Sequence, residues 1–208
     1  MKKPRVSLVS LLLFCVAGIT AAQEAPKDIT YFVEPCTTPA LACTPEDMDL
    51  ARWAFGAWQD ASQGKLHLIE SKDRSTALIR LRWAPKNGGL YGETMRISVQ
   101  GREGAEIHVR AEAPPEPGKG DRLLRDAIVY LTCLHESGHA LGLDHTRAFA
   151  DIMYSFEYGG DIEEYFARYR RKISTREDIR KNAGMSPADR AALLSEIAAK
   201  GKGEGVLR

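Results

Sequence analysis

Five residues in one short stretch have the types and spacing that metal-assisted hydrolysis needs. They are His135, Glu136, His139, Gly142 and His145, in the run His-Glu-Ser-Gly-His-Ala-Leu-Gly-Leu-Asp-His. On a helix, His135 and His139 stand four apart, so their imidazoles lie on one face and can share a metal. Glu136 follows the first histidine and can lean toward a metal-bound water without being a ligand. Gly142 falls one turn later, and glycine tolerates the left-handed conformation that ends a helix. The chain can then turn sharply and return His145 to the same metal. Three imidazoles and one water make a four-coordinate zinc site with an exchangeable position. Zinc held by three neutral ligands stays strongly electrophilic; it lowers the pKa of its water toward ~7 and polarises a scissile carbonyl. Glu136 would take the water's proton and deliver it to the leaving amine. The competing explanation is an ordinary helix with internally satisfied histidines. At usual residue frequencies, five fixed positions in eleven arise by chance in a chain of this length on the order of once in a hundred thousand.

The elements that must position these residues are also visible. Asp121 opens a helix along which Leu124, Ile128, Leu131 and His135 share one face. An earlier helix is expected from Thr44 as N-cap and Pro45 as first residue to about Gln63, closed by Gly64. Ala51, Ala54, Phe55 and Trp58 form its core face. Alternating apolar residues predict strands at 29–33, 65–70, 77–83 and 105–110, with a weaker one at 94–99. His67 and His108 fall on the outward side of theirs and read as solvent-facing. Lys86 to Gly89 is a turn, and Pro114 to Lys119 a loop. Residues 161–172 form an amphipathic helix through Ile162, Tyr165, Phe166 and Tyr169. Its basic cluster (Arg168, Arg170, Arg171, Lys172) has Glu163 and Glu164 one turn upstream, which favours salt-bridged surface over an anion-binding patch. Ser186 caps a last helix, with Pro187 first and Asp189 reaching back.

Composition bounds the class. A hydrophobic content of 44% and a charged content of 27% suit one globular domain in 208 residues. The formal net charge of +1 argues against a nucleic-acid binder driven by bulk positive charge. Residues 1–22 read as a secretory signal: Lys2, Lys3 and Arg5, then an apolar run from Val6 to Ile19, then Thr20-Ala21-Ala22 before Gln23. That run is short for a membrane span, and no later segment is apolar enough for one. Export to the periplasm or medium is therefore expected. Its removal takes three positive charges and no negative ones, which leaves the mature chain near −2. In an oxidising compartment Cys36 and Cys43, flanking a short loop, are either a disulfide or two free thiols. Cys133, in an apolar helical stretch, reads as a buried small hydrophobe.

HExxHxxGxxH followed by a methionine turn defines the metzincins, and this chain resembles them: Met153, in Asp151-Ile152-Met153-Tyr154, follows His145 by eight residues. Within that clan it looks like a matrixin. His139-Ala-Leu-Gly-Leu-Asp-His145-Thr146 is similar to that branch's HxLGLxHS, with Thr146 where matrixins usually have Ser. The helix bearing Trp58, the Gly88-Gly89-Leu90 loop, the strand around Ile107 and the Ser186-Pro187 helix fall in matrixin order. The resemblance spans most of 28–200 and is strongest at 131–154. It implies an α+β fold over 23–208: a twisted, mostly parallel sheet backed by long helices, with a zinc cleft above a small C-terminal subdomain. It implies one catalytic Zn2+ on His135, His139 and His145, with Glu136 as acid/base, Gly142 and Met153 as support, and Tyr154 shaping the cleft, assisting the oxyanion or simply packing. A protein or peptide substrate would lie extended against the sheet's edge strand, with residues 105–110 as the candidate. The chain is expected to act as a monomer.

The sequence also departs from the family. The cysteine-switch motif is absent. Gly92-Glu93-Thr94 stands where histidines for a second, structural zinc are expected, and residues 155–185 exceed the usual connection to the last helix. Two rivals keep the same residues: a zinc-containing peptide-binding module without turnover, against which the retained Glu136 speaks, and a peptidase restricted to one endogenous partner.

Overall fold

The computed structural model describes residues 26–85, 91–112, 115–116 and 118–203. The expected signal segment, the 86–90 turn and part of the 114–119 loop lie outside the described residues. Five strands form one sheet: β1 (Lys27–Val33), β2 (Leu66–Glu70), β3 (Ile79–Trp83), β4 (Gly92–Val99) and β5 (Arg102–Val109). Their order is β2-β1-β3-β5-β4, parallel except for β4, which runs antiparallel to β5. The mixed α+β architecture with a mostly parallel sheet is thus present. The expected edge strand needs correction. Residues 105–109 belong to β5, which is interior, and the edge is β4. The cause is the turn between them. Gln100 (φ 51°) and Gly101 (φ 78°) are both left-handed, the two-residue geometry that closes a hairpin whose twist matches the sheet. It folds β4 onto the outer side of β5, pairing Gly92 with Val109 through to Val99 with Arg102.

Alternation along the strands decides which face is covered. Tyr31, Val33, Leu66, Leu68, Ile79, Leu81, Trp83, Ile107 and Val109 are buried and pack with two long helices, α1 (Asp47–Ala61) and α2 (Arg122–Leu141). Tyr31 stacks on Phe55 with ring centroids 4.1 Å apart. The opposite face carries an ion-pair chain in which Glu106 meets Arg74, Arg82 and His108, and Arg82 also meets Glu34. His108 and the exposed pair His67–Asp28 therefore belong to that outer face.

Helix α1 starts later than Thr44 predicted. Residues 45–46 form a turn, and no side-chain cap is made at Glu46. The reason is Asp47. Its carboxylate reaches back to the Thr44 amide at 2.8 Å and forms a buried pair with Arg125 of α2, so the helix opens at the acid. Arg125 also donates to the Ala42 and Glu112 carbonyls. Asp126 joins the cluster, and a disulfide closes the adjoining loop between Cys36 and Cys43, with Cα atoms 5.9 Å apart. Helix α1 ends at Ala61, short of Gln63, because Gln63 (φ 55°) and Gly64 (φ 80°) are left-handed in succession.

After α2 the chain forms α3 (Ile162–Arg170), α4 (Glu177–Lys181) and α5 (Pro187–Gly203). The three arginines of the basic cluster at the end of α3 find partners within the fold. Arg171 pairs with Glu164, Arg170 with Asp121, and Arg168 stacks over Phe149 and Tyr165. Among the described residues no helix is long and apolar enough to cross a membrane.

Removing one partner of a buried ion pair leaves the other charge without compensation. Asp47→Ala is therefore expected to lower unfolding stability by about 3–5 kcal/mol, measured by urea denaturation at neutral pH. An unchanged midpoint would show that the Arg125 cluster does not hold α1 to α2.

Candidate metal centre

Helix α2 carries the first two histidines, and contacts on its far side set its rotation. Trp58 of α1 is fully buried and donates its indole N–H to the Leu134 carbonyl at 2.9 Å and to Ser137 Oγ at 3.1 Å. Met153 lies beside it. Gly138 lets both approach: a Cβ there would fall 2.5 Å from Met153 Sδ and 2.9 Å from Trp58 Cζ2. A side chain at 138 would push the helix off its support, so this glycine is part of the site, although only the motif's five defining residues stand out in the sequence.

The turn after α2 brings in the third histidine. Gly142 has φ 107° and donates its amide to His139 O, while Leu143 N reaches back to Gly138 O, each at 3.0 Å. These bonds satisfy the last carbonyls of the helix as left-handed caps do. Lys200 of α5 donates to the Leu141 carbonyl at 3.0 Å and pairs with Glu196. Both side chains occupy the space a Cβ at Gly142 would need.

The three imidazoles converge. Their Nε2 atoms are 3.0, 3.1 and 3.3 Å apart. His135 Nδ1 lies 2.7 Å from the Ile152 carbonyl and His139 Nδ1 2.7 Å from the Leu143 carbonyl. A carbonyl only accepts, so both Nδ1 atoms carry the proton and both Nε2 atoms present lone pairs. Facing lone pairs cannot hydrogen-bond to each other, and a cation between them would stabilise the arrangement. Bonds of ~2.1 Å set the ligand atoms of a tetrahedral zinc roughly 3.4 Å apart, and the observed triangle is close to that. Burial pushes the His135 pKa down to about 4, with the two other imidazoles adding to the effect, and burial lowers that of His139 as well. Both are therefore neutral at physiological pH, as metal ligation requires.

Glu136 is buried beside this triangle. Its Oε2 accepts from Thr94 Oγ1 of β4 at 2.7 Å. Burial pushes its carboxyl up to about 7; the Thr94 bond opposes this and the charge of Glu93 adds to it. A group titrating near neutrality suits proton transfer in both directions.

The methionine turn lies beneath the histidines. Thr146, next to His145, donates its amide to Met153 O at 2.7 Å and accepts from Ser155 N. Asp189, 1% exposed, caps α5 reciprocally with Ser186. The same carboxylate accepts from the amides of Ile152 at 2.9 Å and Met153 at 3.3 Å. The Ser186–Asp189 spacing is legible in the sequence as a helix cap. That the carboxylate also holds the methionine turn is not, because the two segments are 36 residues apart. Tyr154 is placed in an aromatic cluster with Phe149, Phe156 and Tyr165, its hydroxyl donated to the Gly159 carbonyl at 2.7 Å. Thr146 Oγ1 is buried without a hydrogen-bond partner among the described residues.

A helix that ends in a left-handed glycine, so that a third imidazole folds back onto the first two above a methionine turn, places the site in the metzincin class. The chain belongs to the matrixin family, whose pattern matches residues 23–165. It is also similar to a hatching enzyme of Paracentrotus lividus, 27% identical over 167 residues, which cover 75% of this chain and 26% of that protein. The chain thus spans about a quarter of that relative's length. Matrixins are zinc metallopeptidases, and the histidine triangle fits their metal.

Asp189→Ala would strand two buried amides at the base of this centre. It is expected to cost about 2–4 kcal/mol of stability and to weaken zinc binding about tenfold or more, read by competition with a chromogenic chelator. Loss of stability with unchanged zinc affinity would confine Asp189 to capping α5.

Proposed function

We propose that the protein is an exported zinc endopeptidase acting on extended protein or peptide substrates. The carrying observation is the convergence of three Nε2 atoms, two of them presenting lone pairs, beside a buried carboxyl whose pKa lies near 7. His135, His139 and His145 hold the zinc, which when bound supplies a Lewis acid and an activated water at neutral pH. Glu136 accepts the proton released by the attacking water and returns it to the departing amine. Burial around Glu136 strengthens this by excluding bulk solvent from the carboxylate. Edge strand β4 offers its outer backbone groups to an extended chain, so the substrate binds by adding a strand. Met153 supports the histidines from below and Gly142 sets the turn to His145, while Tyr154 packs behind them.

Export follows from the signal pattern of residues 1–22, and the Cys36–Cys43 disulfide suits the oxidising compartment it leads to. Nothing in the charge balance favours nucleic acid, and because the three histidines converge within a single chain a monomer could carry the site.

The test uses purified residues 23–208. One zinc per chain is expected, with cleavage of an unfolded protein abolished by chelation. Glu136→Ala is expected to keep the zinc and lose about 10²–10⁴ in rate. Zinc without cleavage would favour a peptide-binding module or a single-partner peptidase, and a chain that takes up no zinc would overturn the proposal.

A further inference from the structure

The edge strand does more than border the cleft. Two of its residues shape the surroundings of Glu136, and neither belongs to the histidine motif. Thr94 Oγ1 sits 2.7 Å from Glu136 Oε2 and 3.0 Å from the Glu136 carbonyl. A hydroxyl has one proton to donate, and the shorter contact, to the carboxyl oxygen, takes it. Gly92, two residues earlier on the same face of β4, leaves the space the side chain fills. A Cβ there would come within 2.6 Å of Glu136 Cγ, 2.7 Å of Oε1 and 2.9 Å of Cδ.

We propose that Thr94 is a positioning residue for Glu136, and that β4 holds the acid through a donor at Thr94 and a void at Gly92. The proposal rests on the assignment of Glu136 as acid/base. A glutamate on a helix has three side-chain torsions, and fixing one oxygen removes most of that freedom. Thr94 takes Oε2 and leaves Oε1 on the Gly92 side. The strand itself is stiff, since all eight of its residues pair with β5. Under the proposed mode of substrate binding, the strand that aligns the peptide also aligns the base. Peptide docking and base orientation are then set by one rigid unit, and disturbing Thr94 should slow turnover more than it weakens binding.

Three variants test this: Thr94→Val, which keeps the shape and removes the donor; Thr94→Ser, which keeps the donor; and Gly92→Ala, which fills the void. With Thr94→Val, kcat is expected to fall about 10–100-fold while KM stays within about twofold of wild type and zinc content and unfolding midpoint hold. Thr94→Ser should restore most of kcat, and Gly92→Ala should lower it. A second readout is independent of activity. Crystals of the zinc-free variants should show the Glu136 carboxylate displaced in Thr94→Val and Gly92→Ala and in place in Thr94→Ser. Wild-type kcat in Thr94→Val, equal losses in the Val and Ser variants, or an unmoved carboxylate would each overturn the proposal. If wild-type protein shows no chelator-sensitive cleavage, the peptidase assignment fails, and the carboxylate positions still decide the role of Thr94.

Discussion

Helix α2 can present two histidines to one metal because its opposite side is pinned. The pin is the contact of Gly138 with Trp58 and Met153, backed by the indole hydrogen bonds to Leu134 and Ser137. About 20° of helix rotation would move an imidazole tip by an ångström or more, enough to spoil a shared metal site. A backbone held against a fused ring and a sulfur, with no Cβ between them, has no such latitude. The same methionine belongs to the turn whose Ile152 carbonyl receives the His135 proton and whose Met153 carbonyl receives the Thr146 amide. One packing contact thereby fixes His135 directly and His145 through its neighbour.

Burial has opposite consequences for the two kinds of titrating group in the site. Desolvation disfavours charge, so it lowers the pKa of imidazoles and raises that of a carboxyl. The first effect keeps His135 and His139 as neutral donors. The second leaves Glu136 near neutrality, where it can both accept and release a proton. One apolar surround thus shifts both kinds of group in the directions that the proposed zinc ligands and acid/base require. Thr94 and Glu93 act in opposite directions on Glu136, and both sit on β4. The edge strand is therefore an electrical as well as a geometric part of the centre.

Much of this was legible in the sequence. The histidine spacing, the glycine turn and the alternation of the strands depend on local periodicity, which one chain segment reveals by itself. So do the outward positions of His67 and His108. The errors fell where the outcome depends on distant segments. Residues 105–110 are the edge-strand candidate only through the family resemblance, but two left-handed residues at 100–101 bring β4 outside them. Thr44 has the chemistry of an N-cap, yet Asp47 finds Arg125, 78 residues away, and the helix opens at the acid. Asp189 was visible as a cap and invisible as the holder of Ile152 and Met153. A residue's local chemistry limits what it can bond; which partner arrives is settled by the fold.

The long connection after the methionine turn follows the same logic. Residues 155–185 resemble an elaboration, but their contacts converge on the elements that support the metal. Tyr165 donates to the Asp151 and Ile152 carbonyls, so α3 shares the acceptor that orients His135. Tyr169 stacks on Tyr130 of α2, and its hydroxyl reaches Asn182. Just before α4, Arg176 crosses to the front of α1. There it meets the Glu46 carbonyl, the Trp53 ring and Asp126, next to the buried Arg125–Asp47 pair. The segment therefore ties the methionine turn to the start of both long helices. With α1 and α2 clamped at their first turns and the methionine turn held by α3 and α5, the supports of His135 are tied into both long helices.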